Sequence, residues 1–316
     1  MVRCECTSAG SVDTVTDNII PLDVHSRELP WQLEAEIPDP VKPTKQDLKL
    51  WSVTTIIRQI GGAEGLIQWA CAKTADAAIA DQDIWSAMVE KGQRSEARKY
   101  LADARWRPRP GCSLTDADAG TLFHRLAEKW IFDGRRPHCD NAEVNTLLDS
   151  FGKWLDSAQP TYDALEMTVY HPDEGYAGTL DAIISEGGRR FVLDYKTSLD
   201  DDEGRRKTPW HSVAPQLAAY RHARYVAIWK ARTEERYSRR YYLLSEEERR
   251  NALPMPEIEG GYCLHVTPWH ADLYYVRTGE DVYRDGFLAA VDAARWTLRL
   301  ADTAIDEDSA TYLNTA

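Results

Sequence analysis

No two cysteines of this chain stand in a CxxC spacing. The six present, Cys4, Cys6, Cys71, Cys112, Cys139 and Cys263, are scattered over 316 residues. That pattern argues against a secreted, disulfide-framed protein. No apolar run approaches about 18 residues, the length of a spanning helix, so no membrane association is expected. The first residues lack a basic start followed by an apolar stretch, so no export signal is expected and the expected location is the reducing cytoplasm. No GxxxxGK[ST] occurs, which excludes a P-loop motor and any use of ATP through one. Internal repeats are absent too. Phenylalanine is scarce, at 5 residues against 11 Trp and 15 Tyr, so the aromatic surface is largely of the kind that carries a polar edge.

What the chain does have is apolar residues enough for a substantial core, 43%, and a net charge of −13. An acidic balance alone argues against nucleic acid, whose phosphates require Lys and Arg. The charge is uneven, however. Arg189 to Arg250 holds 15 Lys/Arg against 10 Asp/Glu, a local excess of five positive charges. Either a cationic cleft or a solvated helix face accounts for it.

Residues 1–50, rich in Thr, Ser and Asp with Pro38, Pro40 and Pro43 close together, read as a weakly structured lead-in. Residues 51–316 read as a single domain. Its first part, 51–160, is helical: Ile56, Ile57 and Ile60 recur at helical spacing, and an Ala-rich stretch with a break runs from Ala63 to about Lys91. Thr115 or Asp116 can cap a helix over Ala119–Phe132 that stops at Gly134, and another helix spans Ala142–Ser157 before Pro160. The second part, 161–302, begins with three strands, 165–170, 178–184 and 190–196, the last two joined by a hairpin turn at 186–189. A helix is expected over Ser212–Arg232, then strands at 261–266 and 271–277, then a helix over 281–302. The sum is an α/β or α+β sandwich, a mixed sheet flanked by helices.

Asp194 and Lys196, two apart on a strand, leave the same face, and Asp181 lies across the hairpin. Burying such a set costs several kcal/mol unless the charges are paired or ligated. A surface salt bridge is one outcome. The other is phosphodiester chemistry, in which two carboxylates bind a hard cation and a lysine serves the attacking water or the transition state.

Gly178-Thr179-Leu180-Asp181, twelve residues, then Asp194-Tyr195-Lys196-Thr197 resembles the PD-(D/E)XK nuclease core, with Leu180 where the name has proline. More closely the chain resembles the RecB-like exonucleases, which include the nuclease domain of RecB, CRISPR-associated exonucleases and stand-alone phage enzymes. Gly120-Thr121-Leu122-Phe123-His124 is similar to that family's G-x-x-x-H helix, and Gln216-Leu217-Ala218-Ala219-Tyr220 to its Q-x-x-x-Y helix. Glu166 sits where the family often has an acidic residue. The resemblance covers about Ser52 to Arg232.

It implies a restriction-endonuclease-like core and metal-dependent hydrolysis of DNA with a free end, in recombination, repair or replication. It implies catalytic roles for Asp181, Asp194, Lys196, Glu166, Gln216 and Tyr220. It implies Mg²⁺ or Mn²⁺ held by His124, Asp181, Asp194 and the Tyr195 carbonyl, the Tyr195 ring facing the packed side. Arg205, Arg206, Lys207, Arg221 and Arg224 are candidates for phosphate contacts, and Trp210 for stacking on a base. A recombination or single-strand-binding partner is left unspecified, and a phage-encoded enzyme would act in the cytoplasm of a bacterial host. No iron–sulfur cluster is expected, because only Cys263 follows the Q-x-x-x-Y helix. A structure-specific or restriction-like endonuclease is the alternative enzyme. A non-catalytic DNA-binding module is the alternative of another class.

Overall fold

The computed structural model describes residues 47–60, 64–108, 112–199, 208–227, 232–236 and 239–303. In chain order these form β1 (Leu48–Ser52), α1 (Val53–Ile57), α2 (Glu64–Ala80), α3 (Gln82–Glu90), α4 (Arg94–Ala102), α5 (Asp116–Asp133) and α6 (Ala142–Ala158). There follow β2 (Thr161–His171), β3 (Tyr176–Glu186), β4 (Arg189–Thr197), α7 (Val213–Arg221), β5 (Tyr225–Val226), β6 (Arg232–Arg236) and β7 (Arg239–Leu244). Last come α8 (Glu246–Asn251), β8 (Leu253–Pro254), β9 (Gly260–Val266), β10 (Ala271–Val276), a π-helical turn over Val282–Leu288 and α9 (Ala289–Thr303).

Local chemistry sets many of these boundaries. The Thr115 side chain accepts from Asp118 N–H and caps α5, whose first turn carries Asp116 and Asp118 against the positive end of the helix dipole. Gly134 ends α5 in the left-handed region, φ 66°. Asn141 caps α6 through Val144 N–H. The β3–β4 hairpin turns on Gly187 and Gly188, both at positive φ, the conformation a two-residue turn of matching twist requires.

All the described strands join one sheet, in the order β10-β9-β4-β3-β1-β7-β6, with β2 also on β3 and the short β5 and β8 beyond it. β4 with β9 and β1 with β3 are parallel; the other described pairs are antiparallel. Side chains alternate across the sheet. Phe191, Leu193 and Tyr195 of β4 join Phe123 of α5 and Leu147 and Phe151 of α6 in one buried cluster. Val192 of β4 and Cys263 of β9 point the other way, into a cluster with Ile56 of α1, Leu217 of α7 and Phe287. The protein is therefore a mixed α/β sandwich with helices on both faces of the sheet.

Three expectations need correction. Residues 48–50 belong to a strand, not to a lead-in; residues 1–46 lie outside the described residues. The helix expected over 212–232 stops at Arg221, because Tyr225 and Val226 pair with Val169 and Tyr170 of β2 and with β8. The charged stretch beyond it holds the hairpin β6–β7, which docks on β1. β6 is too polar in sequence to read as a strand, and only β7 carries an apolar run, its Tyr242 and Leu244 buried with Leu50 of β1.

Candidate metal centre and its lysine

The site sits where two strands part along one edge of β3. β4 pairs with the far half of β3, the last registered pair being Ala182 with Leu193. β1 takes over that edge only at Ala177. Between them Gly178 to Asp181 have no registered partner on this edge among the described pairs. The gap is a fork, and Asp181 and Asp194 stand at its mouth.

Asp181 gathers partners from two elements. Its Oδ2 accepts from the Tyr195 N–H at 2.7 Å, and its Oδ1 lies 3.4 Å from His124 Nδ1 of α5. α5 can approach so closely because of Gly120: a Cβ there would lie 3.0 Å from Thr197 Oγ1 of β4. On the opposite edge of β3 the registered pairs Leu165–Ala182 and Met167–Leu180 leave Glu166 across from Asp181. Glu166 reaches this place with left-handed backbone, φ 48°, inside a strand. For a residue with a Cβ that conformation is strained and persists only where its surroundings impose it. One ligand atom each from His124, Glu166 and Asp181 lies within 4.8 Å of the other two, the one such His/Cys/Asp/Glu group among the described residues.

Asp194 belongs to a second set. Its side chain is 3% exposed; Oδ2 lies 2.6 Å from Lys196 Nζ and Oδ1 accepts from Gln216 Nε2 at 2.9 Å. Gln216 Oε1 in turn accepts from Lys196 Nζ at 3.3 Å, and Gln216 Nε2 also reaches the Tyr220 hydroxyl at 3.3 Å. Gln216 thus holds carboxylate and ammonium together, with one turn of α7 linking it to Tyr220. The Tyr220 ring is buried and fills the fork: a Cβ on Gly178 would lie 2.4 Å from its Cε1.

The electrostatics follow from crowding charges out of water. Burial works against the ionised form of Asp181, but His124, Lys196 and the Tyr195 N–H outweigh it and hold the carboxyl below its ordinary range. Burial and the neighbouring Asp181 push Asp194 up against the pull of Lys196. Burial also disfavours charge on His124 and Lys196, yet the carboxylates beside them raise both. The cluster concentrates negative charge and keeps its lysine an ammonium.

The structure thus brings together His124, Glu166, Asp181, Asp194, Lys196, Gln216 and Tyr220. The Tyr195 ring packs on the opposite face, edge-on to Phe123 and Phe151. Arg221 donates to the Ile258 and Thr278 carbonyls, and Arg224 pairs with Asp173. Arg205, Arg206 and Lys207 lie outside the described residues. Trp210 is 60% exposed in the turn before α7. Sequence reasoning gave no role to two neighbours, Cys263 beside Asp194 and His265 beside Lys196, which arrive through the parallel pairing of β4 with β9. Burial pushes the Cys263 thiol up to about 12, so it stays protonated.

Two carboxylate oxygens suit Mg²⁺ and Mn²⁺ alike, and the one imidazole nitrogen is better accepted by a transition-metal ion such as Mn²⁺ than by Mg²⁺. Two carboxylates directly across a strand pair repel, and a cation between them removes that cost. The donor set fits a metal. His124→Ala should therefore raise the Mn²⁺ concentration for half-saturation about tenfold or more while leaving the circular-dichroism spectrum unchanged. Unchanged Mn²⁺ affinity in a calorimetric titration would remove His124 from the ligand set.

No protein-family model and no curated protein matches the chain. Among solved structures it has a slight similarity to "Crystal structure of SSO0001", 18% identical over 49% of this chain and 57% of that one, with a TM-score of 0.26. The chain spans little more than half of that protein's length. Among the described residues no helix is long and apolar enough to cross a membrane.

Proposed function

We propose that this chain is a metal-dependent deoxyribonuclease of the RecB-like PD-(D/E)XK type that degrades DNA from its ends. The observation that carries the reading is the meeting, at one fork in the sheet, of a three-donor group from α5, β2 and β3 with an ammonium held on β4. A binding module has no need of both.

His124, Glu166 and Asp181 would hold the ion, with Asp194 beside them. A bound divalent cation supplies Lewis acidity toward the phosphate and a water acidic enough to attack it. Lys196, kept charged by its carboxylate neighbours, can donate to that water or to a phosphate oxygen as negative charge builds. Gln216 fixes the rotamers of Asp194 and Lys196, and Tyr220 fixes Gln216. The preference for ends rests on the resemblance of Gln216 and Tyr220 to the exonuclease helix.

Incubation with end-labelled linear DNA and covalently closed circular DNA, with Mn²⁺, Mg²⁺ or chelator, tests the reading. Metal-dependent loss of the linear substrate with the circle spared is the expected result. Cutting of the circle would turn the assignment to an endonuclease, and full activity in chelator would overturn it.

A further inference from the structure

We infer that Trp269 and Trp210 form a stacking platform for unpaired bases, so that the nucleic acid presented to Lys196 is single-stranded where it enters. This deepens the nuclease reading above and rests on it.

The two indoles leave the segments that border Lys196 on either side. On one side is β9, in register with β4: Lys196 lies beside His265 and Thr197 beside Val266, and Ser198 N–H donates to the Val266 carbonyl at 3.0 Å. Three residues past Val266 comes Trp269, in the turn to β10. On the other side is α7, whose first turn carries Gln216, the acceptor for Lys196. Trp210 lies in the turn that starts α7, its carbonyl accepting from Val213 N–H at 3.0 Å. Trp269 is 57% exposed and Trp210 60%. Among the described residues two other exposed tryptophans sit elsewhere, Trp106 after α4 and Trp296 on α9.

A lone exposed aromatic needs no explanation. The turn under Trp269 fixes the backbone that carries it. Thr267 N–H donates to the His270 carbonyl at 2.9 Å, and Thr267 Oγ1 accepts from both Trp269 N–H at 3.3 Å and His270 N–H at 3.1 Å. Below, His270 Nδ1 lies 2.9 Å from Asp272 Oδ2. With the backbone of the turn already fixed, only the two side-chain torsions of Trp269 remain to be ordered when a flat partner covers the ring. The partner must offer a free π-face and an anionic backbone that can follow on to Lys196. Bases inside a duplex already stack on one another, whereas those of a single strand have faces to offer.

The test uses the full chain in chelator, titrated at one fixed salt concentration into fluorescein-labelled oligothymidylate and into a blunt duplex of the same length. Trp269→Ala should weaken oligothymidylate binding about fivefold or more, the scale of losing one base stack, and Trp269→Phe much less. Duplex binding should not change, and neither should Mn²⁺-dependent hydrolysis of bis(p-nitrophenyl) phosphate, whose single phosphodiester carries no strand to run from Lys196 to the indoles. No binding of oligothymidylate by the wild type, an unaffected Trp269→Ala, or an equal loss on duplex would overturn the platform. Failure of the nuclease reading is separate: it would appear as no hydrolysis of DNA or of the small ester by the wild type with any metal, while the titrations still report on the indoles.

Discussion

Lys196→Ala should bind Mn²⁺ as tightly as the wild type and hydrolyse DNA at least about a hundredfold more slowly, the scale of removing one donor that acts in the transition state. The structure separates the two properties. Lys196 as an ammonium has no lone pair to offer a cation, so it cannot itself ligate an ion held by His124, Glu166 and Asp181. It does balance Asp194, whose two oxygens are taken by Lys196 and Gln216. Without the ammonium, Asp194 keeps one amide hydrogen bond in a buried place, and burial then favours its neutral acid. The loss should fall on kcat more than on KM. Calorimetry with Mn²⁺ and single-turnover cleavage of labelled DNA measure the two sides. Equal loss of metal affinity and of rate would show that Lys196 holds the site together and does no chemistry of its own.

Gly178→Ala should be the most damaging one-carbon change in the sheet. The added Cβ would lie 2.4 Å from Tyr220 Cε1, and the ring is buried with little room to retreat. Overpacking of this kind costs about 1–3 kcal/mol. A displaced ring also carries away the hydroxyl that holds Gln216, so activity should fall along with thermal stability. Neighbouring changes that share a cause are not additive. In a Tyr220→Ala background the same substitution should cost markedly less. An equal cost in both backgrounds would place the damage in the backbone of β3 and not in the ring.

The parts of this molecule that were legible in the sequence are those written in short range. The α5 boundaries follow from Thr115 and Gly134, the β3–β4 hairpin from Gly187 and Gly188, and the shared face of Asp194 and Lys196 from the two-residue period of a strand. The end of α7 was not legible, because Ala-rich helical spacing continues past Arg221 while the pairing of Tyr225 and Val226 with β2 and β8 is settled by distant residues. The same holds within the site. Gly120 and His124, four apart on one helix, announce a close approach. The placing of Glu166 across from Asp181 depends on a strand register counted from a bulge near Asp163. The neighbours Cys263 and His265 depend on β9 lying parallel to β4 although two helices and four strands, α7 to β8, come between them in the chain. Gly178 stood in the motif itself, yet only the structure shows that its missing side chain makes room for Tyr220.

β1 is five residues long and bridges β3 to β7, and through β7 to β6. Beside it the Thr55 hydroxyl accepts from Arg240 N–H at 3.0 Å across 185 positions of sequence. The β6–β7 hairpin can form early from its own neighbours, but it has no place on the sheet until residues 48–52 have docked on β3. That order makes the last piece of the sheet wait for a loop closure of very long range, the kind of contact that slows folding most. During refolding, protection of β7 amides from hydrogen exchange should therefore appear with that of β1, after the β2–β3–β4 meander is already protected.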